Sequence, residues 1–202
     1  MTVTEIAAMD SKRRRIYIDG EYAFFLYPSE LRRYNIEEGM QLEEKVFDEL
    51  NQVVVPKRVK ARTLYILKAA MKTEKQLYDK LMEGGYSREH AAVGIEYAKS
   101  FGYINDLEYA RCFVGSSCRG RSRRDVEARL YKRGIGRDII EQVLDEVPVD
   151  EDEAIYAALQ KKSVRPENIQ SLGYEVRSKL YIYLLRRGFS SSGINRVLRT
   201  FG

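Results

Sequence analysis

The residues with the most evident binding chemistry form the segment Arg119-Gly-Arg-Ser-Arg-Arg124, which places four guanidinium groups within six residues. A guanidinium donates paired hydrogen bonds to phosphate or carboxylate oxygens, and the glycine lets another backbone approach closely. We therefore predict that this segment contacts an anionic partner through four side chains: Arg119, Arg121, Arg123 and Arg124. The alternative is a solvated loop that joins two helices without any partner.

Two basic dipeptides could extend this site. Lys132-Arg133 and Arg186-Arg187 each stand directly before a glycine, so they occupy equivalent positions in two segments of the chain. In a repeated structure such positions can form a basic stripe, and we include all four side chains in the predicted binding site: Lys132, Arg133, Arg186 and Arg187. The alternative is that both dipeptides only stabilise helix C-termini, whose partial negative charge favours cations.

Residues that could perform catalysis or bind metal are scarce. The chain has one histidine, His90, and lacks the Gly-x-x-x-x-Gly-Lys-Ser/Thr loop that cradles phosphates. Its two cysteines, Cys112 and Cys118, do not have the spacing of a zinc site. We expect His90 to be exposed or half-buried in the first turn of a helix, and Cys112 to be buried near Ala110 and Val114. No catalytic site, cofactor or metal site is predicted.

The elements that must position the basic residues are set by an internal repeat. Each copy has two apolar residues four apart, then a glycine, then an apolar residue, which is the pattern of a helix that ends in a left-handed glycine cap. A further apolar helix precedes each copy, so the unit is three helices in about 50 residues. Three segments align without gaps on their glycines: Thr73–Ile95, Ser122–Leu144 and Val176–Leu198, with Gly85, Gly134 and Gly188 superposed.

The first quarter of the chain has a different pattern. Residues 13–27 predict two short strands around Asp19-Gly20, because a tight hairpin turn needs positive φ at both central residues. Thr2–Ala8 could add a third strand, and Ser29–Tyr34 fits a short helix. Such a small β element cannot bury much surface alone, so we expect it to pack on the helices.

These patterns together predict a mainly α protein. Three tandem three-helix repeats would form an elongated curved array, preceded by a small β-hairpin element. The predicted division is residues 1–55 for the hairpin element, then 56–104, 105–148 and 149–202 for the three repeats. The alternative is an ordinary α-helical domain whose segments resemble one another by chance.

Charge and composition limit the class of protein. The 202 residues include 35 Lys and Arg against 30 Asp and Glu, a net charge of +5. Residues 1–55 carry 7 basic and 11 acidic side chains, whereas residues 56–105 carry 10 and 5, so an acidic partner would meet the later part. The longest charge-free runs are eight residues, far below the ~18 of a membrane helix. We expect a cytoplasmic protein, since two cysteines make a poor disulfide framework. We expect a monomer, but the sequence leaves the oligomeric state open.

The segment Gly102-Tyr-Ile-Asn-Asp-Leu-Glu-Tyr-Ala-Arg111 is followed by Arg119-Gly-Arg-Ser122 and Leu130-Tyr-Lys-Arg-Gly-Ile135. These segments, the first of them most specifically, resemble the RecX family, whose members regulate the RecA recombinase. Leu77-Tyr-Asp-Lys-Leu-Met-Glu-Gly-Gly-Tyr-Ser87 and Lys179-Leu-Tyr-Ile-Tyr-Leu-Leu-Arg-Arg-Gly-Phe189 fit the same family. The resemblance covers roughly Ala61 to Gly202, and residues 1–60 match less distinctively.

The resemblance implies a non-enzymatic regulator that lies on the RecA–DNA filament, with possible direct contact to DNA. It further implies restraint of ATP hydrolysis, strand exchange and LexA-type co-protease activity, and hence a place in recombination, DNA repair and the SOS response. From the residues alone, a stand-alone DNA-binding helical protein remains open, because three-helix units can present a recognition helix to the major groove. A protein-binding repeat scaffold is the third hypothesis.

Overall fold

The computed structural model describes residues 1–117, 119–147, 150–169 and 171–199. The chain forms two compact units, Met1–Asn105 and Asp106–Gly202. Among the described residues, no helix combines the length and the apolar character needed to cross a bilayer.

The first unit begins with a three-stranded antiparallel sheet in the order β1 (Val3–Ala8), β2 (Arg14–Ile18) and β3 (Glu21–Leu26). Asp19 and Gly20 have φ values of 51° and 88°, the left-handed pair that a tight turn between β2 and β3 requires. The predicted hairpin and the third strand are therefore confirmed.

Helices cover this sheet and supply most of the first unit. Their order is α1 (Pro28–Arg33), α2 (Glu44–Glu49), a π-helical turn (Leu50–Val54), α3 (Val55–Ala69), α4 (Glu74–Glu83) and α5 (Arg88–Ser100). Ile16 and Phe24 of the sheet share one buried cluster with Val59 of α3 and with Leu77 and Leu81 of α4. The small sheet thus packs on the helices, as its size predicts.

The second unit contains two further sets of three helices, each around its own buried cluster. The first set is α6 (Asp106–Ser117), α7 (Arg123–Lys132) and α8 (Arg137–Glu146). The second is α9 (Glu151–Gln160), α10 (Tyr174–Arg186) and α11 (Ser191–Arg199), with a 3-10 turn at Pro166–Asn168. A mainly helical fold of three-helix units behind a small sheet is confirmed, whereas the predicted boundaries of the four segments stay a prediction.

The same cap ends the middle helix of each three-helix unit. Gly85, Gly134 and Gly188 have φ values of 88°, 87° and 82°. The N–H after each glycine donates to the carbonyl five residues earlier, at 3.2 Å from Tyr86 to Leu81 and at 3.3 Å from Phe189 to Leu184. This is the Schellman arrangement, in which an apolar residue after the glycine folds back on the helix. The repeated glycine therefore marks a repeated helix end.

Two expectations about single side chains are wrong. Cys112 is exposed, because Ala110 and Val114 occupy the buried face of α6 and a residue midway between them lies on the opposite face. His90 is buried, with 4% of its surface exposed. Its Nδ1 lies 2.8 Å from Ser87 Oγ and its Nε2 lies 3.0 Å from the carbonyl oxygen of Asn51. Cys118 lies outside the described residues.

The burial of His90 has a local cause. Asn51 lies in the π-helical turn, where its carbonyl would face the nitrogen of Pro56. Proline has no N–H to donate, so this carbonyl lacks its helical partner and the imidazole supplies one. Burial lowers the pKa of His90, which keeps the ring neutral and suited to this polar but enclosed position.

Candidate functional site

The arginine-rich segment joins α6 to α7 and packs against α9 and α10 of the following three-helix set. At its centre, Ser122 is 1% exposed, accepts from the Asp125 N–H at 3.1 Å and caps α7. The Ser122 hydroxyl also donates to the carbonyl oxygen of Arg187 at 2.7 Å, just after the end of α10. Gly120 has φ 73° and lies so close to α9 that a Cβ there would be 3.4 Å from backbone atoms of Ala157 and Ala158. The segment is therefore held firmly against α9 and α10.

Arg123 is engaged within its own three-helix set. Its Nε donates to Glu127 at 3.1 Å and its Nη2 to Asp145 at 3.1 Å, while Nη1 reaches the carbonyl of Leu144 at 3.4 Å. The hydrogen bond to Asp145, followed by that to Glu127, raises the pKa of Arg123. This guanidinium ties the start of α7 to the end of α8 and uses three of its five N–H donors within the protein.

The second member of each basic dipeptide also has internal partners. Arg133 donates to the Tyr109 hydroxyl at 3.2 Å and its guanidinium lies 4.6 Å from the centroid of Phe113. Arg187 donates to the Tyr183 hydroxyl at 2.7 Å and to the carbonyl of Gly120 at 3.1 Å. Equivalent positions in two repeats thus use an arginine to hold a tyrosine, and Arg187 additionally braces the arginine-rich segment.

The first member of each dipeptide faces solvent. Lys132 and Arg186 are exposed, and neither forms an ion pair with any residue in the described part of the chain. Arg119 is likewise exposed, whereas Arg121 is half-buried and lies 3.9 Å from a carboxylate oxygen of Asp125. The eight predicted side chains therefore divide into internal and solvent-facing groups.

A cleft of about 660 Å³ between α7 and α10 brings some of them together. Arg124 is exposed on its α7 wall, and the stem of this side chain would lie 3.4 Å from a Cβ at Gly188. Among the described residues, the one acidic group in the lining is Asp125, and it is already hydrogen-bonded by Arg129 Nε at 2.9 Å. The remaining lining residues are Ala128 and Leu185, together with Arg186, Arg187 and Gly188.

The cleft combines four guanidiniums with one carboxylate, so it carries a net positive charge. A concave surface lined by one sign of charge focuses the electrostatic field and attracts anions. Because Arg187 and Arg129 are already hydrogen-bonded, Arg124 and Arg186 are the cations best placed to meet a phosphate or carboxylate. Among the described residues, no group of three or more His, Cys, Asp or Glu is arranged to hold a metal ion.

Sequence inspection did not identify Arg129 as part of this cleft. The signal for it was present, since Arg124, Asp125, Ala128 and Arg129 have the one-and-four spacing of a single helix face. Conversely, the structure does not bring Lys132, Arg133 or Arg119 into the lining. The basic stripe along the repeats stays a prediction.

Comparisons with known proteins identify what this chain is similar to. Family models described as the second and third three-helix domains of RecX match residues 105–144 and 150–198, respectively. The chain is 33% identical to the regulatory protein RecX of Caldanaerobacter subterraneus, with 98% of each chain covered. It is 26% identical to the regulatory protein RecX of Clostridium beijerinckii, with 98% of this chain and 94% of the relative covered.

Two solved structures share the fold. A crystal structure of a regulatory protein RecX superposes with a TM-score of 0.63 at 23% identity, and 98% of each chain is covered. That of RecX from Lactobacillus salivarius gives a TM-score of 0.60 at 19% identity, covering 72% of this chain and 96% of the other.

Proposed function

Because the chain belongs to the RecX family of regulatory proteins, we propose that it regulates the RecA recombinase by binding the RecA–DNA filament. In this proposal the protein performs no catalysis itself. It restrains the ATP hydrolysis, strand exchange and co-protease activity of the filament, as a cytoplasmic component of recombination, DNA repair and the SOS response.

The observation that carries this proposal is the cleft between α7 and α10. A nucleoprotein filament presents phosphates and carboxylates, and the cleft offers guanidiniums with a single, already neutralised acid among them. Arg124 and Arg186 provide donors from two different repeats. A phosphate or carboxylate of the filament that lies between Arg124 and Arg186 would accept a charge-assisted hydrogen bond from each.

The internal contacts explain how such a site keeps its geometry. Ser122 and Arg187 link the α7 cap to the end of α10 through hydrogen bonds of 2.7 Å and 3.1 Å. These bonds fix the separation between the walls that carry Arg124 and Arg186 before any partner arrives. Preorganised donors lose less entropy on binding than mobile ones, which favours affinity.

The direct test is inhibition of RecA ATPase on single-stranded DNA by the double variant Arg124→Gln/Arg186→Gln. Hydrogen bonds to charged groups contribute about 1.5–3 kcal/mol each, so we expect half-inhibition to require at least about 10-fold more protein. The matched control is Lys161→Gln/Arg165→Gln, which removes two exposed charges of the same unit outside the cleft. The control should inhibit as the unchanged protein does.

Two outcomes would contradict the proposal. Equal inhibition by the cleft variant and the unchanged protein, with both folded by circular dichroism, would remove the cleft from the mechanism. Binding to bare duplex DNA as tight as binding to the filament, with a steep dependence on salt, would instead support a stand-alone DNA-binding protein.

A further inference from the structure

A second basic surface lies on α3, in the first unit. The sequence of α3, Val55–Ala69, contains five cationic side chains and no Asp or Glu. Only Arg58 among them is used internally, donating to the carbonyl of Phe25 and pairing with Glu30. The other four are exposed, and none forms an ion pair with a described residue: Lys57, Lys60, Arg62 and Lys68. We refer to the three lysines among them, Lys57, Lys60 and Lys68, as the α3 face.

The exposed lysines of α3 follow one line along the helix. Lys57, Lys60 and Lys68 are three and eight residues apart, and Leu64 lies between them. At 3.6 residues per turn, these four positions fall on one side of the helix. The opposite side is buried through Val55, Val59, Thr63 and Ile66. The solvent side is thus a row of positive charge about 17 Å long, from the 1.5 Å rise per residue.

Aromatic rings stand beside this row. Lys60 Nζ lies 5.5 Å from the ring centroid of Tyr97 on α5. Tyr97, Phe101 and Tyr103 follow one another with centroid separations of 5.1 Å and 5.7 Å, and the last two rings are stacked at 15°. Phe101 is 60% exposed and Tyr103 is 51% exposed. We refer to these three rings as the ring row.

A further exposed ring lies on α3 itself. Tyr65 is 68% exposed, and the guanidinium of Arg62 lies 5.2 Å from its centroid. At 3.6 residues per turn, Tyr65 and Arg62 lie off the lysine row, so the aromatic surface beside the α3 face is the ring row. Exposed large apolar side chains that cluster in this way mark an interaction site more often than a solvated face.

We propose that the α3 face and the ring row bind single-stranded nucleic acid directly. Lysine ammonium groups that form no ion pair with a described carboxylate attract a phosphate backbone, and exposed rings stack on bases whose faces are free. A duplex hides those faces inside its stack, so the rings favour a single strand. An acidic peptide would use the charges but would leave the rings without flat partners. This activity requires no recombinase and lies in a different unit from the α7–α10 cleft.

The charge contribution is tested with Lys57→Gln/Lys60→Gln/Lys68→Gln. The measurement is fluorescence anisotropy of a labelled oligo(dT) of about twelve nucleotides, titrated with the full chain over a range of salt concentrations without RecA. Three lost phosphate contacts at about 0.7 each should lower the slope of log K against log salt by about 2. Affinity at low salt should fall at least about 10-fold.

The matched control for the charge test is Lys45→Gln/Lys75→Gln/Lys80→Gln. It removes the same number of exposed charges from the first unit, but Lys75 and Lys80 already pair with Asp79 and Glu83 at 2.7 Å and 2.6 Å. We expect only a small change in slope. Equal losses in the two triple variants would show diffuse charge attraction and would overturn the proposed site.

The stacking contribution is tested with Phe101→Ala/Tyr103→Ala, after melting curves establish that the variant is folded. Stacking of a base on an aromatic ring accounts for roughly 5-fold to 100-fold in affinity, so we expect about a 10-fold loss on oligo(dT). An abasic strand of the same length should bind both proteins equally. An equal loss on both strands, or tighter binding of duplex or poly-glutamate than of oligo(dT), would overturn the proposal.

The two proposals fail separately. A chain that does not bind oligo(dT) without RecA, even at low salt, removes the inference about α3 and leaves RecA inhibition through the α7–α10 cleft untouched. Conversely, a chain that binds oligo(dT) but leaves RecA ATPase unchanged retains the α3 site and refutes the proposed regulation.

Discussion

The arginine-lined cleft of the second unit and the α3 face of the first unit are both basic, but they use positive charge differently. In the cleft, Arg187 and Arg129 hydrogen-bond to neighbouring groups of the protein. On α3, none of the four exposed cations forms an ion pair with a described residue, and the charged groups of Lys60 and Arg62 lie beside aromatic rings. The closely spaced arginines of the cleft therefore stabilise the fold as well as offering charge, whereas the separated lysines of α3 remain available to solvent or a ligand.

This difference has a geometric cause. A guanidinium has five donors in a planar fork, so it can satisfy a carbonyl, a hydroxyl and a carboxylate at once. Arg123 binds two carboxylates and a carbonyl, and Arg187 binds a hydroxyl and a carbonyl. An ammonium on a flexible stem gains less from such an arrangement, and α3 itself supplies no Asp or Glu to pair with its lysines.

The largest expected effect on stability comes from substituting Gly188, which lines the α7–α10 cleft. In Gly188→Ala, the new Cβ would lie 3.0 Å from Ser122 Oγ at a residue with φ 82°. Left-handed strain of about 1–2 kcal/mol, with crowding added, should lower the free energy of unfolding by about 2–3 kcal/mol in urea titrations.

The matched control is Gly39→Ala, which has φ 84° but nothing within 4 Å of the new Cβ. It should cost the strain alone, about 1–2 kcal/mol. If both variants lose the same free energy of unfolding, the close approach of Gly188 to Ser122 does not add to the destabilisation.

The next largest effect is a difference in stability between variants of Arg187 and Arg186. Arg187→Met removes the donors to Tyr183 and Gly120 and leaves a carbonyl unpaired, so unfolding free energy should fall by about 1–2 kcal/mol. Arg186→Met changes only an exposed side chain and should stay within about 0.5 kcal/mol in stability. Urea titration of both variants measures the difference. Equal stabilities would show that the internal hydrogen bonds of Arg187 contribute no more to the fold than the exposed side chain of Arg186 does.

The smallest effect is a pH dependence that belongs to the second unit. Arg111 donates to both carboxylate oxygens of Glu146, at 2.8 Å and 3.0 Å, and with Gln142 it lowers the pKa of Glu146 to about 2 from 4.5. Because the pKa is lower in the folded state, this stabilisation is present above pH 4.5 and is lost as the pH falls to about 2.

Melting temperatures of the unchanged protein and of Glu146→Gln, measured from about pH 6 to about pH 2 at low salt, test this dependence. The difference between them should shrink as the pH falls, and added salt should reduce it because the pair is exposed. A difference that stays constant over this range would show that Glu146 acts through packing. The α3 face offers no comparable pair, since α3 itself carries no carboxylate.

Much of the fold could be predicted because its signals are local. The left-handed glycine after an apolar helix face recurs at Gly85, Gly134 and Gly188, and each caps a helix by hydrogen bonds within six residues. Asp19-Gly20 likewise encodes its own turn. Such features depend only on residues that are close in sequence, so they can be predicted from the sequence.

The wrong expectations concern contacts between distant residues. His90 is buried because Asn51, 39 residues earlier, lies in a turn whose carbonyl has no helical donor. Cys112 is exposed because the packing of α6 selected the Ala110–Val114 face. In the candidate site, Arg129 was missed and Arg187 proved to be braced internally, because each depends on which helix lies opposite.

By itself, the sequence determined the helical repeats, the hairpin and the concentration of arginine between α6 and α7, since spacing and residue type act over a few residues. Only the tertiary structure decided which of those arginines face solvent. Whether a guanidinium is free depends on acceptors that the fold places beside it, such as the Gly120 carbonyl 67 residues from Arg187. The same holds on α3, where the fold places Tyr97 of α5 beside Lys60. The residue type sets the charge, but the packing of the fold determines whether that charge can meet a ligand.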